Sequence, residues 1–494
     1  MKTESFGAFA AFGSVCLWCL LWVVAAAPAA AEPTLPAITH HSGVFHGKRI
    51  AYIATVEPVV VADESGKPAA RVVDISYIAS GVADASKRPV LFAFNGGPIS
   101  PSDVLHMGML GPKRVSIPAD VNADPASYRV VDNPYMPLDA ADIVLFDPAS
   151  TGFSRVLAGV DPRHYFSVTT DGQQLAQFIV EWCRKHGRLD SPKYVLGESY
   201  GTMRAAAVAN QLQKLAHPVP LKGVILLGQA LNIIEFSQRP ANIISYVVSL
   251  PTLAAIAWSH GKANLHGKDF DAFEDEVWQF ARTDYLTALF QGSKLPAAAA
   301  DAVAQRLQDY TGISAAYYLA HELEITKEQY RRELYRDKGE IVGMIDARYS
   351  GRNAGPKTED PAGVITKAYE TAFKTYLRDD LGVADTPDYI TKDPVHGLED
   401  WKWDGTGISP FADWPYPKLL SEVFAANPDF RVMIGNGWED TQTTVGAARY
   451  LVDRSDWPAD RVSLHFYQGG HTAYSVEASL KQMTDDIRAF LTAP

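Results

Sequence analysis

Residues 193–209 join a short apolar run to a helix-forming run through two closely spaced glycines. The letters KYVL are typical of a buried strand, and the letters RAAAVA are typical of a helix. Between them a single serine, Ser199, has Gly197 two positions before it and Gly201 two positions after it. A serine on a sharp turn from a strand to a helix comes close to neighbouring backbone, which excludes side chains at those two positions. The segment therefore predicts a strand, a sharp turn and a helix.

The same pentapeptide also occurs at ordinary turns, so the chemistry of Ser199 depends on its surroundings. On a sharp strand-to-helix turn, the serine hydroxyl would stand above the edge of a sheet. The N–H of Tyr200, at the start of the helix, would face an oxyanion that develops on a substrate. A nucleophilic serine also needs a base and an acid, and these must come from elsewhere in the chain.

Strand and helix patterns alternate around this unit. Continuous apolar runs cover residues 89–94, 142–148 and 223–228, and an amphipathic helical pattern covers residues 170–186. This alternation predicts a parallel α/β sheet, and the hairpin patterns of residues 41–79 predict an antiparallel edge.

The pattern changes in residues 232–429, where helical patterns such as 279–290 and 327–338 replace most of the strand runs. We interpret much of this stretch as a cap over the carboxyl edge of the sheet. Strand patterns return at residues 430–440 and 462–467, and an amphipathic helix closes the chain.

The two returning strands lead into loops with candidate catalytic residues. Asp440 ends the first strand pattern, and His471 follows the second after two glycines. With Ser199 before them, the chain order serine, acid, histidine is that of α/β hydrolases and differs from other serine-protease arrangements. A serine, a base that accepts its proton and an acid that orients the base together suit acyl transfer. Each residue alone also has an ordinary structural explanation, and Glu439 is a rival to Asp440 as the acid.

The loop after the strand pattern of residues 89–94 supplies a candidate for the second group that would bind the oxyanion. It reads Asn95-Gly96-Gly97-Pro98, and two adjacent glycines allow free N–H groups to approach an anion. The second oxyanion donor of such a hydrolase is expected in this loop, so the Gly97 N–H is our candidate beside that of Tyr200. A plain turn at the end of a strand is the alternative.

Together these motifs resemble the serine carboxypeptidase family. The resemblance rests on NGGP at 95–98, DP and TGFS within 147–154, GESYG at 197–201, Gly437 with Asp440, and Gly470 with His471. It implies an α/β-hydrolase fold with a mostly helical cap inserted between core strands. The site residues that it implies are a triad of Ser199, Asp440 and His471, oxyanion donors at Gly97 and Tyr200, and carboxylate-binding residues Asn95, Gly96 and Glu198.

The chain departs from the family in two places. Residues 99–102 read Ile-Ser-Pro-Ser where the family has Gly-Cys-Ser-Ser. Eukaryotic members pair the acid at the position of Glu198 with a second acid, expected here near Met109, whose side chain cannot hydrogen-bond a carboxylate. Two such acids give these enzymes a preference for acidic pH, because ionised carboxyl groups around a substrate carboxylate would repel it. The sequence therefore does not predict an acidic pH optimum or strict exopeptidase activity for this chain.

The N-terminus has the pattern of a secretory signal. An apolar run over residues 6–27 follows Met1-Lys2, and three alanines at 29–31 form a small-x-small cleavage site. We expect cleavage after Ala31 and export to the periplasm or the medium. The length of the apolar run leaves an uncleaved membrane anchor as the alternative. Removal of the segment would leave Cys183 as the single cysteine, so that no internal disulfide can form.

We therefore predict an exported serine-type carboxypeptidase that needs no metal or cofactor and acts on peptides. The predicted segments are a signal peptide (1–31), the first part of the hydrolase core (32–231), the cap (232–429) and the last part of the core (430–494). A net charge of −12 argues against nucleic-acid partners, and no stable membrane partner is expected after cleavage. The alternatives are a serine esterase or acyltransferase on the same site, and a non-catalytic binding protein with a hydrolase fold.

Overall fold

A computed structural model describes residues 35–493, apart from residues 64, 265, 384–388, 392–400 and 404–413. The predicted signal peptide lies outside these residues. Within the described part of the chain, no helix has both the length and the apolar character needed to cross a membrane.

The described residues form strands β1 to β14. In chain order these are β1 (Ala37–Phe45), β2 (Lys48–Ala62), β3 (Pro68–Ala79), β4 (Val90–Phe94), β5 (Lys113–Ser116), β6 (Arg129–Asp132), β7 (Asp142–Asp147), β8 (Arg155–Val156), β9 (Lys193–Glu198), β10 (Gly223–Leu227), β11 (Glu340–Val342), β12 (Ser350–Arg352), β13 (Arg431–Gly437) and β14 (Val462–Tyr467).

The α-helices of the same residues are α1 to α15. They are α1 (Asp103–Leu105), α2 (Val168–Lys185), α3 (Gly201–Gln213), α4 (Ile233–Phe236), α5 (Ile243–Val247), α6 (Leu250–Ser259), α7 (Phe270–Phe280), α8 (Leu286–Gln291), α9 (Ala297–Thr311), α10 (Ala315–Ala320), α11 (Lys327–Glu333), α12 (Gly363–Asp379), α13 (Tyr416–Ala426), α14 (Val445–Arg454) and α15 (Glu477–Thr492).

One ten-stranded sheet organises the molecule, with the order β1-β2-β3-β7-β4-β9-β10-β13-β14 and with β8 beside β3. The strands from β7 to β14 in this order run parallel, whereas β1, β2, β3 and β7 are antiparallel neighbours. Helices cover both faces of the parallel part, which explains why β4, β7, β9 and β10 are buried along their whole length. This architecture confirms the predicted α/β-hydrolase fold class.

The stretch between β10 and β13 is mostly helical and packs in two ways. Helices α6, α7 and α9 share a hydrophobic core of their own, which includes Leu253, Val277 and Leu307. Helices α12 and α13 instead join the layers on the two faces of the sheet, through side chains such as Phe373 and Leu420. The stretch therefore supplies part of the sheet's covering layers as well as a separate helical body.

Candidate active site

Ser199 lies on the sharp turn between β9, which ends at Glu198, and α3, which begins at Gly201. Its φ is +59°, a conformation that non-glycine residues rarely adopt. A Cβ at Gly197 would lie 2.1 Å from the carbonyl oxygen of Gly201, so glycine is required where the chain doubles back. The N–H of Ser199 donates a 2.9 Å hydrogen bond to the carbonyl of Leu227 on the neighbouring strand. The strand, turn and helix therefore form as the sequence predicts.

The loop of residues 95–98 follows β4, the strand beside β9, and lies against the serine turn. A Cβ at Gly96 would come within 2.7 Å of the Tyr200 nitrogen, so only glycine permits this approach. Gly97 has a φ of +103°, which also favours glycine. Among the described residues, neither the Gly97 N–H nor the Tyr200 N–H donates a hydrogen bond. Both groups are therefore free to meet an oxyanion, the role that we predict for them.

Asp440 and His471 come together at the same edge of the sheet, after β13 and β14. His471 Nδ1 lies 2.7 Å from Asp440 Oδ2. The other carboxylate oxygen accepts hydrogen bonds from the N–H groups of Gln442, at 2.8 Å, and Thr443, at 3.2 Å, and the Thr443 hydroxyl donates to Oδ2. These donors satisfy both oxygens of a fully buried carboxylate and hold it in place beside the ring. With Nδ1–H directed at Asp440, the Nε2 atom of His471 is left to accept a proton.

Burial disfavours the charged form of His471, but the Asp440 carboxylate outweighs that effect and raises the pKa of the imidazole to about 9. The side chain of the alternative acid, Glu439, makes no contact with the imidazole among the described hydrogen bonds. Its Oε2 accepts a hydrogen bond from the N–H of Gly469 at 2.7 Å, and burial raises its pKa to about 8. Glu439 thus contacts the backbone of the loop that carries His471, whereas Asp440 contacts the ring.

Ser199 and His471 border the same short segment of chain. The Ser199 N–H binds the carbonyl of Leu227, and a Cβ at the next residue, Gly228, would lie 3.1 Å from Cε1 of the His471 ring. Within the described residues the Ser199 hydroxyl makes no hydrogen bond with the imidazole. Catalytic hydrogen bonds are often long or poorly aligned in unliganded enzymes and tighten when substrate binds.

The predicted carboxylate-binding residues lie beside Ser199 and contact one another. Asn95 Nδ2 donates to Glu198 Oε1 at 2.7 Å, and Asn95 Oδ1 accepts the N–H of Leu105 at 2.9 Å. The second oxygen of Glu198 has no hydrogen-bond partner among the described residues, and burial raises the pKa of this carboxyl. Glu198 is therefore a buried acid that would bind a substrate carboxylate best in its protonated form.

Met109 is fully buried in the π-helical turn His106–Leu110, so its position adds no second acid. The ring of Tyr474 lies against the neighbouring Gly108, where an added Cβ would come within 2.2 Å of it. The Tyr474 hydroxyl is close to Glu198. A neutral phenol thus stands near the carboxyl that family members pair with an acid, and the sequence reasoning did not identify it.

Arg204 and Asp171 form a second feature that the sequence reasoning missed. Arg204 Nε lies 2.7 Å from Asp171 Oδ2, and both side chains are almost completely buried. The Tyr200 hydroxyl also donates to Asp171, at 2.8 Å. One signal was available in the sequence: Asp171 lies four residues before Leu175, on the apolar face of the predicted helix, where a carboxylate needs a partner.

A cavity of about 530 Å³ adjoins the serine turn. Its walls come from the sheet edge and from the helical stretch after β10. The lining residues are Gly97, Ser199, Tyr200, Met203, Ala230, Ile233, Phe236, Ser237, Gln238, Thr326, Lys327, Glu328, Arg331, Met344, Trp403, Thr441, Gln442 and Thr443. The cavity therefore brings the predicted nucleophile and both predicted oxyanion donors to one mostly apolar space.

Comparison with known proteins identifies the family of the chain. A sequence profile of the family described as serine carboxypeptidase matches residues 77–344, more than half of the chain. The chain belongs to the serine carboxypeptidase family. A relative from Arabidopsis thaliana, serine carboxypeptidase-like 9, is 30% identical over 117 residues, which cover 22% of this chain and 26% of that protein.

A solved carboxypeptidase has the same fold at low sequence identity. It is Kex1, a prohormone-processing carboxypeptidase from Saccharomyces cerevisiae, with a TM-score of 0.50 and 14% identity. The match covers 88% of this chain and 91% of the yeast chain. At this identity the likeness establishes the shared fold.

Proposed function

We propose that the chain is an exported serine-type carboxypeptidase that releases C-terminal residues from peptides. The observation that carries the proposal is the positive φ of Ser199 on a strand-to-helix turn that lines a cavity with Gly97 and Tyr200. The hydrogen-bonded pair of Asp440 and His471 at the same edge of the sheet supports it further. Membership of the serine carboxypeptidase family is consistent with this activity.

In this reaction, the Ser199 oxygen attacks the carbonyl carbon of the last peptide bond. His471 Nε2 accepts the hydroxyl proton while Asp440 holds the ring in the required tautomer. The N–H groups of Gly97 and Tyr200 stabilise the negative charge that develops on the carbonyl oxygen. His471 then donates its proton to the leaving amine, and water releases the acyl group from Ser199 by the same steps in reverse order.

Ser199→Ala tests this proposal. We expect loss of hydrolysis of N-blocked dipeptides with an unchanged melting temperature, because the substitution removes one atom from a partly buried side chain. A fluorophosphonate probe should label the native protein at Ser199 and not at Ser237, the other serine of the cavity lining. Turnover by a folded Ser199→Ala variant, or labelling at Ser237 alone, would contradict the assignment.

A serine esterase or acyltransferase on the same site is the second candidate. The buried Met109 favours it, because the second acid expected for recognition of a peptide carboxylate is missing. A blocked dipeptide, its C-terminal amide and an aryl ester of the same acyl group separate the two activities. A carboxypeptidase should strongly prefer the free carboxylate over the amide, whereas an esterase should hydrolyse the aryl ester and neither peptide.

We also propose export through the N-terminal segment, on the basis of its sequence pattern alone. The mass and N-terminal sequence of the protein recovered from its native host test this point. A mature chain that begins at Glu32 would support cleavage after Ala31, and an intact Met1 in a membrane fraction would favour the anchor.

A further inference from the structure

The cavity beside Ser199 contains three charged side chains, and two of them neutralise each other. Arg331 Nη1 lies 2.6 Å from Glu328 Oε2. Arg331 also donates from Nε to the carbonyl of Val342 at 3.0 Å, so its guanidinium is already bound. The third charged residue is Lys327, and no carboxylate within the described residues lies within salt-bridge distance of its ammonium group. The described lining of the cavity therefore carries one positive charge without a counter-ion.

The backbone of Lys327 is held firmly at the start of α11. Thr326 and Gln329 form a reciprocal capping box around it. The N–H of Lys327 donates a 2.6 Å hydrogen bond to the side chain of Gln238, from the other wall of the cavity. These contacts fix the position of the Lys327 Cα, and this limits the part of the cavity that its ammonium group can reach.

The ammonium group itself has only weak contacts among the described residues. Its Nζ lies 5.3 Å from the centre of the Phe236 ring and 3.5 Å from the carbonyl of Gln442, a long contact for a hydrogen bond. Burial lowers the pKa of Lys327 to about 8, although the charge of Asp440 opposes that shift. A partly desolvated cation gains more from an anionic partner than an exposed one does.

We propose that Lys327 binds a carboxylate group of the substrate held at Ser199, and so determines specificity for anionic substrates. The proposal rests on hydrolysis at Ser199, the proposed function. The remaining cavity wall near Lys327 is largely apolar, through Phe236, Ile233 and Met344. Such a wall accepts the carbon skeleton of a residue while one cation orients its charged end. The cavity lining does not include the predicted carboxylate-binding residues Asn95, Gly96 and Glu198. Lys327 would therefore bind a carboxylate at a position separate from theirs.

The carboxylate that meets Lys327 has two sources in a peptide, the C-terminus and an acidic side chain. Three matched substrates distinguish them: a blocked dipeptide ending in glutamine, the same dipeptide ending in glutamate, and the glutamine dipeptide as its C-terminal amide. A preference for the first over the third that Lys327→Met removes identifies the C-terminal carboxylate. A preference for the second over the first identifies the side chain.

The variants are Lys327→Met, which keeps the length of the side chain without its charge, and Lys327→Arg, which keeps the charge. Lys338→Met is the matched control, because Lys338 is an exposed lysine whose Nζ also lies over an aromatic ring, that of Tyr335, outside the cavity lining. We expect Lys327→Met to lower kcat/KM for the preferred anionic substrate by about tenfold to a hundredfold, the value of one charge-assisted hydrogen bond. Hydrolysis of a neutral aryl ester should change by no more than about twofold.

A binding measurement tests Lys327 independently of turnover. In the Ser199→Ala background, calorimetry compares N-acyl glutamate with its C-terminal amide and with N-acyl glutamine, its side-chain amide, and repeats the comparisons with Lys327→Met added. We expect the carboxylate to bind more tightly than the amide, and Lys327→Met to remove the difference while Lys327→Arg and Lys338→Met preserve it. Equal binding of N-acyl glutamate and both of its amides to the Ser199→Ala protein would overturn the proposal, as would preferences that all survive Lys327→Met.

Different results would refute the serine chemistry and the role of Lys327. Absence of probe labelling and of all hydrolysis would refute the proposed function, and the binding comparison would still decide the role of Lys327. An active enzyme whose ester and peptide hydrolysis fall equally in Lys327→Met would refute the specificity role and leave the serine chemistry intact.

Discussion

The guanidinium of Arg204 donates a 2.9 Å hydrogen bond from Nη1 to the carbonyl oxygen of Asn95. Its Nη2 reaches the carbonyl of Pro98 at 3.0 Å, so both ends of the glycine loop are bound by one side chain of the helix after Ser199. Nε pairs with the buried Asp171. The arginine therefore fixes the loop that carries one predicted oxyanion donor against the helix that follows the predicted nucleophile.

Arg204→Lys should reduce turnover more than it reduces stability. A lysine can keep one contact with Asp171 but cannot also bind two carbonyl groups, so the glycine loop should shift relative to Ser199. Because a displacement of about 1 Å can cost roughly a hundredfold in rate, we expect kcat to fall by about tenfold to a hundredfold. The measurement is kcat per folded enzyme, with active sites titrated by the fluorophosphonate probe.

Arg188→Lys is the control for that experiment. Arg188 is equally buried, pairs with Asp142 and binds the carbonyl of Arg88, but it precedes β9 at the opposite edge of the sheet from Ser199. We expect a loss of stability without a loss of kcat. If both arginine variants lose kcat to the same extent, the positioning role of Arg204 is wrong.

The raised pKa of His471 predicts that activity increases with pH above the ordinary histidine range. Burial opposes the charged ring, but Asp440 outweighs it and raises the pKa to about 9. The ring must be neutral to accept the serine proton, so kcat/KM for a neutral aryl ester, which has no carboxylate for Glu198 or Lys327 to bind, should rise as pH increases through that value. A profile of kcat/KM over about pH 5 to 10 measures the midpoint, since that range spans the relevant histidine pKa values.

Asp440→Asn should move that midpoint towards the ordinary value, because it removes the charge that stabilises the protonated ring. It should also lower kcat by about ten-thousandfold, since an amide no longer selects the required tautomer. Glu439→Gln neutralises the neighbouring acid and should leave the midpoint in place. A native midpoint below pH 6.5, the unperturbed histidine value, would contradict the prediction.

Glu439 should make the protein less stable as pH rises. Burial raises its folded-state pKa from 4.5 to about 8, so between these values the folded chain keeps a proton that the unfolded chain has lost. The unfolded state then binds fewer protons, and the free energy of unfolding decreases from pH 4.5 towards pH 8. Glu439→Gln should remove this penalty and raise the free energy of unfolding near pH 8 by on the order of 1–4 kcal/mol.

Urea denaturation near pH 4.5 and near pH 8, the ordinary and folded-state pKa values of Glu439, tests this prediction. The gain from Glu439→Gln should be much larger at the higher pH, because at pH 4.5 the folded carboxyl is protonated and the unfolded one is still half protonated. Glu181→Gln changes an exposed glutamate paired with Arg184 and should shift stability by less than about 0.5 kcal/mol at either pH. A gain of equal size at both pH values would show that packing, not ionisation, accounts for the effect.

Gly470→Ala should displace the loop that carries His471. The added Cβ would lie 2.1 Å from the carbonyl oxygen of Ile345, which also accepts the N–H of His471 at 2.5 Å. Since that atom is backbone, the two segments must separate, and we expect destabilisation of about 1–3 kcal/mol together with loss of turnover. Gly363→Ala is the control, because its Cβ would meet open space at the start of α12. Wild-type kcat in Gly470→Ala would contradict this account of the loop.

The strands of the sheet could be predicted because each is a local pattern. Apolar runs at 89–94, 142–148 and 223–228 correspond to β4, β7 and β10, since a strand covered on both faces needs apolar residues at every position. The helical stretch was less predictable in detail. The pattern at 279–290 covers the end of α7, a π-helical turn at Ala281–Tyr285 and α8, because apolar spacing does not reveal a local widening of the helix.

Part of the site could also be predicted from the sequence. Ser199, Asp440 and His471 each follow a predicted strand, and parallel strands place their carboxyl ends at one edge of a sheet. The choice between Asp440 and Glu439 was not available from the sequence, because adjacent loop residues differ only in the direction of their side chains. The loop conformation turns Asp440 towards the imidazole and Glu439 towards the N–H of Gly469.

By itself the sequence determined the α/β class, the sharp turn at Ser199 and the order of the candidate triad, because these depend on periodicity, glycine and proximity to strand ends. Only the tertiary structure decided that Arg204 binds the glycine loop and that Lys327 enters the cavity without a counter-ion among the described residues. The hydrogen bonds of Arg204 and Lys327 that establish this join residues 89 to 115 positions apart in the chain. They depend on how the layers pack, and a charged residue in a helical pattern gives no indication of which distant groups will surround it.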